Sequence, residues 1–184
     1  MGARSPSVRH TGRLRPPAHS STYLEVATLR DAAAIAALRT GAGAELTRVH
    51  GKGPWGGQGT ERGVRFEMTR GVVYIVREGR RMVATLAISR RKPWAIDPAY
   101  FSASRSPLYL TSVAVAPDRQ RKGIGRRCVE ETKVVAADWR ADALRLDAFD
   151  AVAGAGGFYA SCGMREVGRV VYRRAPLVYF EWVF

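Results

Sequence analysis

The sequence has 184 residues, of which 46% are hydrophobic and 25% are charged, a balance typical of one globular domain with its own core. No apolar stretch approaches the ~18 residues of a membrane-spanning helix, so we expect no membrane association. The two cysteines and three scattered histidines match neither a disulfide framework nor a zinc site, so we expect no metal.

The formal net charge of +14 comes from 26 arginines and 4 lysines set against 16 acidic residues. Basic proteins bind nucleic acids by releasing counterions, so a nucleic-acid-binding module is one interpretation. However, the arginines are spread along the chain, and paired zinc-ligand cysteines, a helix-turn-helix and aromatic-basic strand motifs are all missing from it. We therefore favour a compositional bias. A small cofactor that carries a diphosphate is compatible with either interpretation.

In chain order, residues 1–21 come first and carry arginines but no acidic residue. They lack apolar periodicity, which predicts a disordered basic tail followed by one folded domain over residues 22–184. The alternating segment TYLEVATL then predicts a first strand. Asp31 is the candidate N-cap of a helix that extends to His50.

A glycine-rich loop at residues 51–59 precedes a short predicted helix at residues 60–70. The loop contains Gly51-x-Gly53-x-x-Gly56, which is the spacing of the dinucleotide-binding fingerprint. That fingerprint must follow a strand and open a helix. Here it follows a helix and runs into further glycines, so we reject a dinucleotide site at this position.

The hydrophobic period then changes to two, and VVYIVREG and RMVATLAISR predict a hairpin. A loop of about sixteen residues follows, a length typical of functional loops. LYLTSVAVA, at residues 108–116, predicts a fourth strand. The remaining predicted elements are an amphipathic helix from Ile124, a fifth strand at residues 143–149, a short helix that ends at Gly163, and two final strands.

The segment QRKGIGRR joins the fourth strand to the amphipathic helix. It places Arg126 and Arg127 in the first helical turn, where cations oppose the helix dipole by a few tenths of a kcal/mol each. Gly123 and Gly125 let the backbone bend so that successive N–H groups face one point, and such amides at a helix N-terminus bind anions. The segment favours a diphosphate site. The alternative is a plain strand-to-helix turn with solvated arginines.

Three segments, in this order, resemble the GNAT superfamily of acyl-CoA-dependent N-acyltransferases. LTSVAVAP is similar to the family's fourth strand, Gln120–Gly125 fits its Arg/Gln-x-x-Gly-x-Gly/Ala loop, and Phe158–Met164 follows its aromatic-Tyr-x-x-x-Gly-aromatic pattern with Met in the last position. The resemblance covers residues 22–184. It implies an α/β (α+β) domain with a mixed, twisted sheet of six to seven strands, splayed between strands 4 and 5 and flanked by about four helices.

The resemblance also implies that acetyl-CoA, as cosubstrate, lies in the gap between strands 4 and 5. Strand 4 would pair with the pantetheine arm, and the loop would hold the pyrophosphate. The implied cofactor-binding residues are Val113, Ala114, Val115, Gln120, Arg121, Lys122, Gly123, Ile124, Gly125, Arg126 and Asp150. Asp150 departs from the family, which often has an asparagine in that region.

Tyr159 matches the family's general acid, which protonates the CoA sulfur; a core aromatic is the alternative role. The general base stays open between Asp147, Asp150, Glu67 and water. Aromatic residues of the first helices and of the strand 3–4 loop either wall an acceptor pocket or close the core. These residues are Trp55, Phe66, Trp94, Tyr100 and Phe101.

The resemblance therefore implies a cytoplasmic N-acetyltransferase that moves an acetyl group directly from acetyl-CoA to a primary amine of a small molecule or peptide. One alternative is an acyl-CoA sensor of the same fold without turnover, and a second is the basic nucleic-acid-binding module. The hydrophobic end YFEWVF either packs internally or forms a homodimer contact.

Overall fold

The computed structural model describes residues 23–56 and 59–184, so the predicted tail at residues 1–21 lies outside the described residues. The described residues form seven strands and four α-helices in the predicted order. The strands are β1 (Glu25–Val26), β2 (Val72–Glu78), β3 (Arg81–Ser89), β4 (Pro107–Val115), β5 (Ala143–Phe149), β6 (Arg165–Tyr172) and β7 (Ala175–Val183). The helices are α1 (Ala32–His50), α2 (Glu61–Met68), α3 (Ile124–Asp138) and α4 (Gly156–Ser161).

The first strand is shorter than the alternating sequence predicts. β1 has two residues, because the chain leaves the sheet at Thr28 and enters a 3-10 turn. Asp31 flanks α1 as expected, but its carboxylate accepts hydrogen bonds from the backbone N–H and hydroxyl of Thr28, at 2.8 Å each, instead of capping α1. The capping box of the turn therefore outweighs the strand pattern.

The strands form one sheet in the order β1-β2-β3-β4-β5-β7-β6, and every pair is antiparallel except β4 with β5. That parallel pair is joined only over residues 107–109 and 143–145. Beyond Tyr109 and Arg145 the two strands separate, which confirms the predicted splay. Each strand then leaves backbone groups along the gap without a partner strand.

A β-bulge interrupts the regular pairing of β4 with β3 at the position where the gap opens. Ser112 and Val113 together stand opposite the single residue Leu86 of β3, between the paired positions Thr111 and Ala114. Ser112 has φ of +55°, a conformation that non-glycine residues rarely adopt. Its hydroxyl donates a 2.7 Å hydrogen bond to Glu67 of α2, which stabilises this backbone.

The two faces of the sheet are covered by different elements. Leu144, Leu146 and Ala148 of β5 pack with residues of α3 and α4 in one core cluster. Because side chains alternate along a strand, Asp147 and Phe149 face the opposite side. On that side α1 and α2 cover β2 and β3, and the β3–β4 loop covers β5 and β7.

A buried ion pair anchors the β3–β4 loop to the sheet. Arg145 Nε donates to Glu181 at 3.0 Å, and the exposed fractions of the two side chains are 5% and 0%. Ser102 of the loop accepts from Arg145 at 2.5 Å and donates its backbone N–H to Glu181 at 3.2 Å. The ion pair is thus buried in the protein, and each of its two side chains forms a further hydrogen bond with Ser102, as buried charges require.

The C-terminal segment packs largely internally. Tyr179 and Phe180 are each 1% exposed, whereas Val183 and Phe184 are about half exposed. Internal packing therefore accounts for the hydrophobic residues of YFEWVF up to Glu181. No described helix is both long and apolar enough to span a membrane.

Candidate active site

The loop between β4 and α3 presents unpaired backbone amides. Arg121 and Gly123 both have positive φ, at +59° and +82°, so the chain curls tightly before the helix begins. Within the described residues, the first backbone hydrogen bond of α3 runs from Arg127 N to Gly123 O at 3.0 Å, and the amides of residues 121–126 reach no described backbone carbonyl. Free N–H groups at the start of a helix form an anion site.

The basic side chains around this loop divide into two groups. Arg121 and Lys122 are exposed and form no ion pair with a described carboxylate. Arg126 donates to the carbonyl and the hydroxyl of Ser161, at 2.7 and 3.1 Å, and the Arg127 guanidinium lies 3.9 Å from the ring centre of Tyr23. Both arginines at the start of α3 therefore have contacts within the protein, whereas their sequence positions predicted that they face an anion or solvent.

A cavity of about 460 Å³ lies between this loop, the end of β4 and α4; we call it the loop cavity. Its lining residues are Val113, Ala114, Val115, Gln120, Arg121, Gly123, Gly125, Arg126, Ala155, Phe158 and Tyr159. The structure therefore brings together most of the residues that the resemblance implies for the cofactor. Ala155 and Phe158 also line the cavity but were not predicted to do so from the sequence. Phe158 could have been found, because it is the aromatic residue directly before Tyr159 in the Phe158–Met164 pattern.

The remaining implied residues do not line the loop cavity. Lys122 is exposed on the loop, and Ile124 is 8% exposed and belongs to the core. Asp150 lies apart in an ion pair with Arg169 at 2.9 Å. Ile124 therefore has a packing role, and the Asp150 carboxylate is engaged by Arg169 outside the loop cavity.

Gly125 allows α3 to approach α4 closely. A Cβ atom on Gly125 would lie 3.2 Å from the ring of Phe158, tighter than most contacts of this kind. Two cations from α3 also hold the end of α4, since Arg126 binds the Ser161 carbonyl and Lys133 Nζ donates to the Cys162 carbonyl at 2.8 Å. Cations at a helix C-terminus are stabilising. This short helix is thus fixed from one side.

Tyr159 lies on α4 with its ring 7% exposed, at 5.0 Å from Phe158 and 5.9 Å from Phe180 between ring centres. Burial raises the pKa of its hydroxyl well above the ordinary value, and the nearby Asp147 carboxylate raises it further. The hydroxyl therefore stays protonated at neutral pH. Tyr159 lines the loop cavity and also a second cavity on the opposite side of the gap.

The second cavity, the Asp147 cavity, also measures about 460 Å³. Val113, Ala155 and Tyr159 line both cavities, so the two meet at α4 and the β4 bulge. Asp147 is the only charged side chain among its described lining residues. Burial raises the pKa of this carboxyl, and no described cation lowers it.

Trp55 and Phe149 form an aromatic wall of the Asp147 cavity, with ring centres 5.5 Å apart and planes at 73°. Glycines make room for this tryptophan. A Cβ on Gly53 would lie 2.3 Å from the Trp55 ring, and one on Gly43 would lie 2.4 Å from its carbonyl oxygen. The glycine-rich segment at residues 51–56 therefore follows α1, as its place in the sequence indicates, and its Gly53 leaves room for the Trp55 ring.

The candidate bases differ in their partners. Glu67 accepts hydrogen bonds from Arg39 and Ser112, at 2.7 Å each, and Asp150 is paired with Arg169. Asp147 has no ion pair and no hydrogen bond from another described side chain; only its own backbone N–H opposes the rise in its pKa. It lines the same cavity as Tyr159. The structure thus separates one free carboxylate from two engaged ones.

The predicted aromatic residues also divide. Trp55 lines the Asp147 cavity, while Phe66 and Trp94 line a neighbouring groove of about 440 Å³. Tyr100 and Phe101 instead pack on Tyr179, with ring centres 5.5 and 5.4 Å apart, and close the core under the β3–β4 loop. No group of three or more His, Cys, Asp or Glu residues in the described part of the chain could hold a metal ion.

Several solved structures share this fold. The ribosomal-protein-S18-alanine N-acetyltransferase of Escherichia coli aligns with a TM-score of 0.63 and 16% identity, over 87% of this chain and 92% of that one. The ribosomal-protein-alanine N-acetyltransferase of Brucella melitensis gives 0.65 and 17%, over 88% and 99%. A putative acetyltransferase of Salmonella typhimurium, yncA, solved with its cofactor acetyl-CoA, gives 0.61 and 16%, over 87% and 92%.

At these identities the likeness concerns the fold alone, and comparison with curated protein sequences gives no match. Residues 45–164, more than half of the chain, match the sequence profile described as the Acetyltransferase (GNAT) family. The match includes the β4 strand, the loop with its free amides, and Tyr159. The protein therefore belongs to the GNAT family of acetyltransferases and is an acyltransferase enzyme.

Proposed function

We propose that the protein transfers an acetyl group directly from acetyl-CoA to a primary amine of a small molecule or peptide. The observation that carries this proposal is that Tyr159 lines two cavities, one beside free backbone amides and one beside an unpaired carboxylate. The first suits a diphosphate and the second suits an amine. A direct transfer needs the two substrates to meet at one point, and Tyr159 marks it.

The loop cavity fits acetyl-CoA, which supplies the acetyl group as a reactive thioester. The amides of residues 121–126 would receive the pyrophosphate, with Arg121 and Lys122 adding positive charge. Beyond Tyr109, β4 has no partner strand toward β5, so its backbone can hydrogen-bond the amides of the pantetheine arm as an added strand would. Gln120 Nε2 donates to Val115 O at 3.1 Å and ties the loop to the end of β4.

We assign Asp147 as the group that binds the amine and accepts its proton, directly or through water. An amine with pKa ~10.4 is almost wholly protonated at pH 7 and must lose a proton before it attacks. An unpaired carboxylate in an apolar cavity attracts the ammonium form. Burial raises the pKa of Asp147, which makes it a stronger base than an exposed aspartate.

Tyr159 is the proposed general acid. Its raised pKa keeps the proton in place until negative charge develops on the sulfur, and the hydroxyl can then donate to it. The packing of the ring against Phe158 and Phe180 holds the hydroxyl in position. The chain thus provides a base on β5 and an acid on α4.

A panel of primary amines and short peptides tests the proposal, with acetyl-CoA as donor and free thiol release as the signal. Thiol release that depends on the amine, with acetylated product seen by mass spectrometry, is expected. Acetyl-CoA binding by calorimetry without amine-dependent thiol release would instead favour the non-catalytic sensor.

A further inference from the structure

The groove lined by Phe66 and Trp94, here called the Trp94 groove, adjoins the Asp147 cavity. Thr111 and Ser112 of β4 line both. Trp94 is 86% exposed and Phe66 is 59% exposed, so two large aromatic side chains border this groove and face solvent. Exposed apolar surface beside a cavity is typical of a binding site.

The Trp94 groove is also strongly basic. Arg70, Arg91 and Lys92 line it, and none of them is in an ion pair with a described carboxylate. The Arg70 guanidinium lies 5.1 Å from the ring centre of Phe66, and Lys92 Nζ donates to the carbonyls of Pro93 and Ile96. These three cations therefore contact an aromatic ring and carbonyl groups, and none of these contacts neutralises their positive charge.

The one carboxylate among the described groove residues does not offset these cations. Glu67 is already neutralised by Arg39 at 2.7 Å, and its other oxygen accepts from Ser112. The Trp94 groove is thus positive, whereas the adjoining Asp147 cavity carries a single negative charge. A molecule that spans both would need opposite charges at its two ends.

We propose that the acceptor is an amine that also carries a carboxylate, with the amine at Asp147 and the carboxylate in the Trp94 groove. This inference rests on the proposed function and specifies its substrate class. Because Thr111 and Ser112 of β4 line both sites, the two sites are contiguous and one extended molecule can reach both. An amino-acid-like small molecule and a peptide with an acidic residue near its N-terminus both have this chemistry.

Two matched acceptor pairs test the proposal and distinguish the sources. The peptide pair is Ala-Ala-Asp-amide and Ala-Ala-Asn-amide, which differ by one carboxylate. The small-molecule pair is 6-aminohexanoate and its amide. We expect the acidic member of at least one pair to have a KM roughly tenfold lower, as expected for one charge-assisted contact, and the preference to shrink in high salt.

The variant Arg91→Gln should raise the KM of the acidic acceptor and leave that of the neutral one unchanged. Arg80→Gln, an exposed arginine in the β2–β3 turn outside this groove, is the matched control and should change neither. Thermal melting and acetyl-CoA affinity check that both variants are folded. Equal KM values within both pairs would overturn this inference alone. Thiol release that does not increase with any amine of the panel would overturn the proposed function and this inference with it.

Discussion

Tyr159 combines a tightly packed ring with a place at the junction of two cavities. Its replacement by Phe keeps the contacts with Phe158 and Phe180 but removes the proton donor. We expect Tyr159→Phe to lower kcat by about 10²- to 10⁴-fold, the range of general acid catalysis, while the Kd for acetyl-CoA stays the same. Steady-state thiol release and calorimetry measure the two quantities. An unchanged kcat would leave Tyr159 with a packing role only.

The raised pKa of Asp147 affects both the stability of the fold and the reactivity of the carboxylate. Burial raises its pKa in the folded protein, so the folded state holds this proton more tightly than the unfolded chain does. Its contribution to stability is therefore present at low pH and is lost as the pH rises through the raised pKa. For the same reason kcat/KM should rise with pH along a limb that lies above the ordinary pKa of an aspartate.

The variant Asp147→Asn removes both effects. We expect it to lose about 10²-fold or more in kcat/KM for lysine-like amines, yet to melt at the same or a higher temperature at pH 7. Glu166→Gln, an exposed carboxylate on β6, is the control and should leave the kinetics unchanged. A variant that melts lower and keeps its activity would contradict the role of Asp147.

At the scale of elements, the strand–loop–helix unit of β4 and α3 depends on Gly123. Its φ is +82°, but a Cβ atom there would meet no described atom within 4 Å. Substitution therefore costs backbone strain rather than a clash with the surrounding protein. Asp tolerates this conformation better than Ala does.

Comparing Asp with Ala at position 123 therefore separates the effect of a negative charge on acetyl-CoA binding from the effect of backbone strain. Gly123→Asp should weaken acetyl-CoA binding roughly tenfold or more, because a carboxylate would face the pyrophosphate. Gly123→Ala should be no more stable than Gly123→Asp, since it carries at least as much strain, but should lose much less affinity. Calorimetric titration and thermal melting of both variants give the comparison, and equal affinities would place the pyrophosphate away from the loop.

Across the whole molecule, the pair of Arg145 and Glu181 joins the β3–β4 loop to β5 and β7. Burial opposes the charged form of Glu181, but hydrogen bonds from Ser102, Arg145 and Arg165 outweigh it and lower the pKa of the carboxyl. Because the pKa of Glu181 is lower in the folded protein than in the unfolded chain, its ionisation stabilises the fold at pH values above the unfolded pKa. This stabilisation is lost as the pH falls through the folded pKa.

Glu181→Gln leaves Arg145 buried without a counter-charge. We expect a loss of about 3–5 kcal/mol in the free energy of unfolding at pH 7, since breaking one side of a buried pair has that cost. Glu166→Gln, which breaks an exposed pair, should leave the free energy of unfolding nearly unchanged. Melting temperatures between pH 3 and 7 should show the gap between wild type and Glu181→Gln narrowing in acid. A constant gap would contradict the linkage.

The order of the elements could be predicted because it depends on local signals. A two-residue period and a 3.6-residue period are visible in short windows, so β2 to β5 and α3 lie where the pattern indicates. β1 was predicted too long, since the contacts of Thr28 and Asp31 compete with an alternating pattern that is equally local.

The sequence by itself therefore determined the fold class, the glycine-containing loop before α3 and the position of Tyr159 in its motif, because each is encoded by neighbouring residues. Only the tertiary structure decided which acid is free and what surrounds it. Glu67 is engaged by Arg39, 28 positions away, and Asp150 by Arg169, 19 positions away, while Asp147 is left in an apolar cavity. Charge neutralisation of this kind depends on which distant residues the fold brings within 4 Å, and no local pattern records it.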